Sequence, residues 1–236
     1  DTFTRWFEPE NGHALINVLR TAGCRVHVAH VNQERPLCCG RTFLAAGLLD
    51  EAKAEARRLL KVLTPYFERD IPLIGLEPSC LLTLRDEYAA LLPDEIIDSM
   101  TDHALLLEEF LVRNLNRLHL DLRPMAIKHA ALHGHCHQKA FATMDDLKAC
   151  LDMIPELQTQ VIQSSCCGIA GAFGQQAETY DLSMDMAELS LLPAIRELPM
   201  DYSVVASGTS CRQQIGHGSS RVAHHFVHLM QQSLSG

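Results

Sequence analysis

The sequence predicts an α/β fold with two similar Rossmann-like repeats, whose mostly parallel sheets are related by an internal pseudo-twofold axis. Two observations predict it. Short apolar or alternating segments of strand length are separated by longer segments with helical periodicity, which is typical of parallel α/β sheets. A Cys-Cys-Gly triplet also occurs twice, at residues 38–40 and 166–168, and each triplet has a further cysteine downstream.

The spacing of these cysteines indicates an internal duplication. The second cysteine of each triplet precedes its downstream cysteine, Cys80 or Cys211, by 41 and 44 positions respectively. Self-similarity at a fixed spacing is the mark of a repeated structural unit. We therefore expect a first repeat over residues 1–124 and a second over residues 125–236.

Apolar periodicity predicts the elements of the first half. Apolar residues recur at helical spacing through residues 11–22 and 48–63, with Gly23 as a C-cap and Pro65 as a break or kink. Residues 25–31 alternate with period two, which predicts a strand with one exposed face. Further helices are expected over residues 80–91 and 102–115, and a short apolar strand over residues 71–76.

The second half repeats this plan, and its three predicted strands lead to the cysteines. Strands are expected over residues 125–133, 159–163 and 203–207, each followed by a cysteine-bearing loop. Because the carboxyl ends of parallel strands meet at one edge of a sheet, these loops should bring their thiols together. Helices are expected from the first loop to residue 154, over residues 177–198 and over residues 222–234.

Composition argues against two classes of function. A net charge of −9 and a pI of about 5.8 disfavour a nucleic-acid partner, which requires a basic face. No apolar run reaches the roughly 18 residues of a transmembrane helix. The chain opens without an initiator Met or a signal peptide, so we expect part of a longer cytoplasmic protein, peripheral to a membrane only through its partners.

Nine cysteines in a chain of this size predict metal binding or redox chemistry. Cys136, Cys166, Cys167 and Cys211 are expected at helix N-termini, where the thiolate is favoured. Thiolates are the ligands of iron–sulfur clusters and of structural zinc. From the residues alone, a metal or cluster at these four thiols, thiol–disulfide chemistry and buried cysteines acting as small hydrophobes all stay open.

The first half offers a weaker candidate site. Cys38, Cys39 and Cys80 supply three thiols, and no cysteine lies near residues 1–8, where the counterpart of Cys136 would be expected. Either this second site is degenerate and structural, or it recruits another ligand.

Residues next to the four thiols could surround a bound metal or cluster without ligating it. Gly168 permits a tight turn and a close approach of backbone N–H groups to sulfur. Lys139 and Arg212 could stabilise negative charge, with ordinary exposed basic residues as the alternative. His133, His135 and His137 could be zinc ligands, outer hydrogen-bond donors, substrate contacts or plain polar residues.

These motifs resemble a duplicated cysteine-rich CCG domain, found in the cysteine-rich subunit of heterodisulfide reductase and in the iron–sulfur subunits of glycolate and lactate oxidases. The strongest resemblance is to the C-terminal region of FAD-linked D-2-hydroxy-acid dehydrogenases. The segments that carry it span nearly the whole chain and are residues 36–41, 75–80, 133–139, 165–174 and 208–215.

The resemblance implies an iron–sulfur electron-transfer module of a flavin-linked D-2-hydroxy-acid oxidoreductase of the glycolate, lactate or 2-hydroxyglutarate type. It implies one [4Fe-4S] cluster at Cys136, Cys166, Cys167 and Cys211, flavin and ferredoxin-like domains as partners, and a downstream electron acceptor. FAD would be bound by the parent protein, and this chain alone would have no catalytic residue and no turnover. A structural zinc-binding docking domain and a thiol–disulfide redox module are the alternatives.

One departure from the family pattern limits the cluster type. Heterodisulfide reductase repeats hold a fifth cysteine three positions after the downstream one, and Thr83 and Gln214 occupy those places here. The sequence therefore predicts a four-thiol site in the second repeat.

Overall fold

The computed structural model describes residues 1–29, 35–93, 98–141 and 143–234. Within these ranges the chain forms fourteen α-helices and six β-strands, and the strands form two sheets whose pairings are all parallel. The predicted α/β fold class is confirmed. None of the described helices is long and apolar enough to cross a membrane.

In the described part of the first half there are eight helices and the smaller sheet. Its elements are α1 (Thr2–Trp6), α2 (Pro9–Thr21), α3 (Arg41–Ala45), α4 (Leu49–Phe67), β1 (Leu73–Gly75), α5 (Pro78–Arg85), α6 (Glu87–Leu91), α7 (Asp98–His103), β2 (Ala104–Leu106) and α8 (Leu107–Arg113), followed by a 3-10 turn at Leu115–Arg117.

The second half contains the larger sheet. Its elements are β3 (His129–His133), α9 (Cys136–Ala140), α10 (Met144–Asp152), β4 (Gln158–Val161), α11 (Tyr180–Glu188), α12 (Leu191–Glu197), β5 (Tyr202–Ala206), α13 (Thr209–Ser219), β6 (Ala223–His224) and α14 (Val227–Leu234), with a 3-10 turn at Phe173–Gln175.

The larger sheet has the strand order β4-β3-β5-β6. Its central strand β3 is apolar on both faces, because Ala130, Ala131 and Leu132 are all fully buried. Burial of both faces is expected for a parallel sheet, whose crossover helices cover it on each side. The carboxyl ends of β4, β3 and β5 therefore lie side by side along one edge.

The predicted internal repeat is not confirmed. Among the described residues the first half has a two-stranded sheet, β1 paired with β2, whereas the second half has four strands. The two halves also share a core, because α2 packs on α14 and places Ala14 and Val18 in one cluster with Phe226 and Met230. The division at residue 124 stays a prediction.

Two predictions for the first half were wrong. Residues 25–29 have no regular structure, and residues 30–31 of that predicted strand lie outside the described ranges. The buried strand β2 interrupts the predicted helix 102–115, since its apolar residues pair with β1. Pro65 does not break α4, which continues to Phe67, because burial of its apolar face offsets the lost backbone hydrogen bond; a kink at Pro65 stays a prediction.

The central strand generates a stability prediction. Leu132→Ala should lower the free energy of unfolding by about 2–5 kcal/mol, because it opens a cavity beneath a fully buried strand. Leu189→Ala is the control, since that side chain is 78% exposed and should change stability by less than about 0.5 kcal/mol. Urea unfolding measures both, and equal losses would contradict this placement of the core.

Candidate functional site

Three loops at the carboxyl edge of the larger sheet carry the four predicted thiols. β3 leads to Cys136, the first residue of α9, and β4 leads to Cys166 and Cys167. β5 leads to Cys211, in the first turn of α13. Hydrogen bonds join Cys136 to Cys166, Cys166 to Cys167, and Cys167 to Cys211. The four thiols therefore form one contiguous group, which we call the four-thiol group.

Protons are unevenly shared within the four-thiol group. Hydrogen bonds with Cys136 and Cys167 hold the pKa of Cys166 well below the usual thiol range. A hydrogen bond with Cys167, together with the nearby His133, lowers the pKa of Cys211 in the same way. The pKa values of Cys136 and Cys167 are raised, chiefly by these same hydrogen bonds. These interactions thus favour the thiolate at Cys166 and Cys211 and the thiol at Cys136 and Cys167.

Burial within the four-thiol group differs from member to member. Cys211 and Cys167 are buried, Cys166 is half-buried, and Cys136 is exposed. One end of the group is therefore open to solvent, while the other lies in the core cluster formed with Ile169.

Gly168 shapes the loop that carries the paired cysteines. Its φ of +94° is in the left-handed region, and its N–H donates to the Cys166 sulfur at 3.3 Å. A Cβ atom at this position would lie 2.1 Å from the Ser183 carbonyl oxygen. Gly40 has the same geometry in the first triplet, with a φ of +80° and an N–H to the Cys38 sulfur at 3.5 Å.

Lys139 and His133 contact the loops around the four-thiol group. The Lys139 ammonium donates to the carbonyl oxygens of Ser164 and Ser165 at 2.7 and 3.0 Å, and its charge favours the thiolate of Cys136. His133 hydrogen-bonds through Nδ1 to Ser164 Oγ at 2.8 Å and also contacts the Cys211 thiol.

The two histidines beside Cys136 have different surroundings. His135 caps α9 by accepting the His137 N–H at 3.2 Å, and its ring lies against Gly208 at the start of α13. His137 Nε2 lies 3.2 Å from Arg41 Nη2 and must accept there, because a guanidinium only donates. Burial and the Arg41 charge lower the pKa of His137. His137 thus connects the four-thiol loop to the first half.

Arg212 is directed into the contact between the two halves. Its guanidinium pairs with the Glu8 carboxylate and donates to the Ala206 carbonyl oxygen at 2.7 Å. Burial opposes ionisation of Glu8, but the hydrogen bonds and charge of Arg212 hold the Glu8 pKa below its usual value. The predicted action of Arg212 on the thiols stays a prediction, since its contacts are with Glu8, Thr209 and backbone oxygens.

Glu77 joins the two thiol-bearing regions and was missed by the sequence analysis. One carboxylate oxygen accepts from the Ser79 N–H and hydroxyl at 3.2 and 2.6 Å, which caps α5 ahead of Cys80. The other accepts from the Thr209 N–H at 2.9 Å, at the start of the α13 helix that carries Cys211. The Glu-Pro pair at 77–78 is a recognisable helix start, but nothing local indicates its second helix.

The candidate second site also forms a group. Hydrogen bonds join Cys38 to Cys39 and Cys39 to Cys80. The bond with Cys38 lowers the pKa of Cys39, but the bond with Cys80 and burial outweigh it and raise that pKa to about 12. The three thiols line a cavity of about 490 Å³ whose other walls are mainly aliphatic, including Leu59 and Ile74.

Neither group is a preformed site for a single ion. Across residues 1–29, 35–93, 98–141 and 143–234, no set of three or more His, Cys, Asp or Glu side chains is arranged to hold a metal ion. The four thiols instead contact one another, so binding would replace those hydrogen bonds with metal–sulfur bonds. The four sulfurs are the donor atoms that ligate an iron–sulfur cluster, and the Gly168 N–H is a hydrogen-bond donor to one of these sulfurs.

Fold and site together define a cysteine-rich α/β module with thiols at the carboxyl edge of a parallel sheet. A family model described as "CCG: Cysteine-rich domain" matches residues 2–85. This match confirms the resemblance inferred from the motifs. The match falls on the half whose thiol set is incomplete.

Relatives cover almost the whole chain. It is 30% identical over 237 residues to a subunit of the anaerobic glycerol-3-phosphate dehydrogenase of Escherichia coli, covering 99% of this chain and 57% of that protein. It is 26% identical to the D-2-hydroxyglutarate dehydrogenase of Pseudomonas putida, covering 98% of this chain and 22% of that protein. Lactate utilization protein A of Bacillus velezensis is 24% identical, with 78% and 72% covered. No solved structure matches.

A glycine substitution tests the geometry of the paired-cysteine loop. Gly168→Ala should cost more than its control, Gly171→Ala, because Gly168 combines a positive φ with contact at 2.1 Å, whereas Gly171 has a positive φ and open space. Backbone strain should cost about 1–2 kcal/mol in both variants, and overpacking about 1–3 kcal/mol more in Gly168→Ala. Denaturant unfolding measures the difference, and equal costs would contradict the tight packing against Ser183.

The contact between the halves gives a second prediction. Arg212→Ala should destabilise the chain by about 3 kcal/mol, because it leaves Glu8 without its charged partner at a largely buried position. A double-mutant cycle with Glu8→Ala should give a coupling energy of about 1–3 kcal/mol. Additive effects of the two substitutions would show that the pair does not hold the halves together.

Proposed function

We propose that this chain is the iron–sulfur electron-transfer module of a flavin-linked D-2-hydroxy-acid oxidoreductase. Cys136, Cys166, Cys167 and Cys211 are the proposed ligands of one [4Fe-4S] cluster. The observation that carries the proposal is the convergence of these four thiols from three loops at one sheet edge.

The surroundings of the four thiols suit that role. A bound cluster of this type accepts and gives up single electrons. The chain keeps Cys167 and Cys211 away from water, which shields the sulfurs on that side, while Cys136 stays exposed. Exposure and hydrogen bonds to sulfur both set the reduction potential of such a site, so the Gly168 N–H is a proposed tuning group.

The relatives support an oxidoreductase setting. Their names are those of dehydrogenases and of a lactate utilization protein, and the chain spans 57% of the length of the matched glycerol-3-phosphate dehydrogenase component. Flavin and ferredoxin-like domains of the parent protein, a downstream acceptor and FAD bound outside this chain therefore belong to the proposal. A cytoplasmic location is also proposed, because all nine cysteines are free thiols.

A second candidate is a thiol–disulfide redox module. The specific observation that favours it is that Cys136 contacts Cys166 and Cys167 contacts Cys211, so two non-adjacent thiol pairs are already close. Adjacent cysteines seldom bridge to each other because the geometry is strained, so these cross-pairs would be the ones oxidised. A redox titration of the metal-free chain that shows a two-electron step for each disulfide formed would support this candidate.

Metal and sulfide analysis of anaerobically purified chain tests the proposal. We expect iron and acid-labile sulfide at about four each per chain, as one [4Fe-4S] cluster requires. Cys167→Ser should lose most of both, because it removes a proposed ligand. Cys24→Ser is the control, since Cys24 contacts neither thiol group through a hydrogen bond.

The same analysis separates the alternatives. Zinc without sulfide would replace the electron-transfer role with a structural docking domain. Iron that is retained equally in Cys167→Ser and Cys24→Ser would contradict the proposed ligand set.

A further inference from the structure

Glu108 is a buried carboxyl group without a cationic partner. It lies in the first turn of α8, directly after β2, and is 1% exposed. Among the residues that the structure describes, no Lys, Arg or His forms an ion pair with it. Its neighbour Glu109 is equally buried but pairs with Arg85 at 2.8 Å and Arg113 at 3.3 Å. The charge of Glu109 is therefore balanced by two arginines, whereas the charge of the adjacent Glu108 has no such balance among the described residues.

An uncompensated buried carboxyl favours the protonated form. Burial raises the pKa of Glu108 to about 8, although a backbone N–H and Gln138 both hydrogen-bond the charged form. Glu109 on the same helix and Asp146 on α10 add to this effect through like charge. Cys150 on α10 is the other titratable group that interacts with Glu108, and its own pKa lies well above the ordinary value. Glu108 is thus mostly protonated at neutral pH and exchanges its proton in mildly alkaline solution.

A hydrogen-bonded amide connects Glu108 to the four-thiol group. Gln138 Nε2 donates to Glu108 Oε1 at 2.6 Å and lies 3.2 Å from Ser207 Oγ. Gln138 Oε1 accepts the backbone N–H of His135 at 3.1 Å. His135 immediately precedes Cys136, and Ser207 lies four residues before Cys211. Two of the three thiol loops therefore hydrogen-bond to the Gln138 side-chain amide, which also hydrogen-bonds to Glu108.

Charge at the thiols and charge at Glu108 must influence each other. Gln138 and Ser207 are fully buried, so the medium between them and Glu108 screens charge poorly. Adding an electron to the four-thiol site makes it more negative and strengthens the tendency of Glu108 to hold a proton. Holding that proton neutralises the carboxyl and makes the added electron less costly.

We infer that, at alkaline pH where Glu108 is ionised, it takes up one proton from solvent when the four-thiol site, with its cluster bound, receives one electron from a reduced flavin, and releases that proton when the electron passes on. The inference rests on the proposed function. Glu108 is a positioning and charge-compensating residue, because it acts on the site through Gln138 and through its charge.

The proton affinity of Glu108 is measurable without any cluster. Because its pKa is raised in the folded chain, Glu108 contributes stability below about pH 4.5 that is lost as the pH rises through about 8. Glu108→Gln should remove this pH dependence of unfolding, and Asp146→Asn should leave most of it. Carbon-13 NMR of carboxyl-labelled glutamate in the unaltered chain should show one resonance with a midpoint near pH 8, which covers the case in which Glu108→Gln does not fold.

The decisive experiment is the reduction potential of the anaerobically purified, iron-loaded chain as a function of pH. We expect the potential to fall as the pH rises above about 8, by at most about 59 mV for each tenfold change in proton concentration. Glu108→Gln should make the potential independent of pH over that range, and Asp146→Asn should keep the slope.

Each outcome has a distinct meaning. A flat potential in the unaltered chain, or an unchanged slope in Glu108→Gln, overturns the inference and leaves the proposed function standing. A chain that holds no iron overturns the proposed function and the inference with it. A glutamate resonance that titrates only near its ordinary pKa overturns the inference without reference to any metal.

Discussion

The arrangement of this molecule depends on one buried carboxylate, Glu77, which caps two helices at once. A carboxylate at a helix N-terminus satisfies backbone N–H groups and complements the helix dipole. Glu77 does this for α5 and α13, helices that come from different halves of the chain and carry Cys80 and Cys211. The Glu8–Arg212 pair beside it adds a second polar contact between the same regions. Two separate thiol groups are thereby fixed in one frame.

The parallel sheet brings the four thiols together through short loops alone. Because β4, β3 and β5 are adjacent and parallel, the loops that follow them leave the sheet at the same edge. Each loop needs only a short turn to present its cysteine, and Gly168 allows the tightest of these turns. The buried amide of Gln138 then connects two of these loops to Glu108. The parallel strands thus determine where the four thiols lie, and the buried Gln138 and Glu108 determine the electrostatic environment of two of their loops.

Local sequence patterns were enough to predict the strands that lead to the cysteine loops, but not the contacts between residues that are distant in sequence. The sequence predicted β3, β4 and β5 because each apolar or alternating segment ends at a cysteine loop, and this also predicted the four thiols at one edge. β2 was missed because three apolar residues inside a helical pattern carry no strand signal of their own, and their pairing with β1 is non-local. Partners distant in sequence, such as Glu77 with Thr209 and Glu8 with Arg212, leave no local trace. Glu108 was missed for the same reason, since its burial depends on helices that meet only in the folded chain.

X-ray absorption at the iron edge of the anaerobically purified chain shows whether four sulfurs of this chain bind one cluster. Four cysteine ligands should give a first coordination shell made of sulfur alone, and one lighter neighbour in Cys211→Ser if that chain still retains iron. Nitrogen or oxygen ligands in the unaltered chain would contradict it, because the histidines would then hold the metal. An identical sulfur shell in Cys211→Ser would also contradict it.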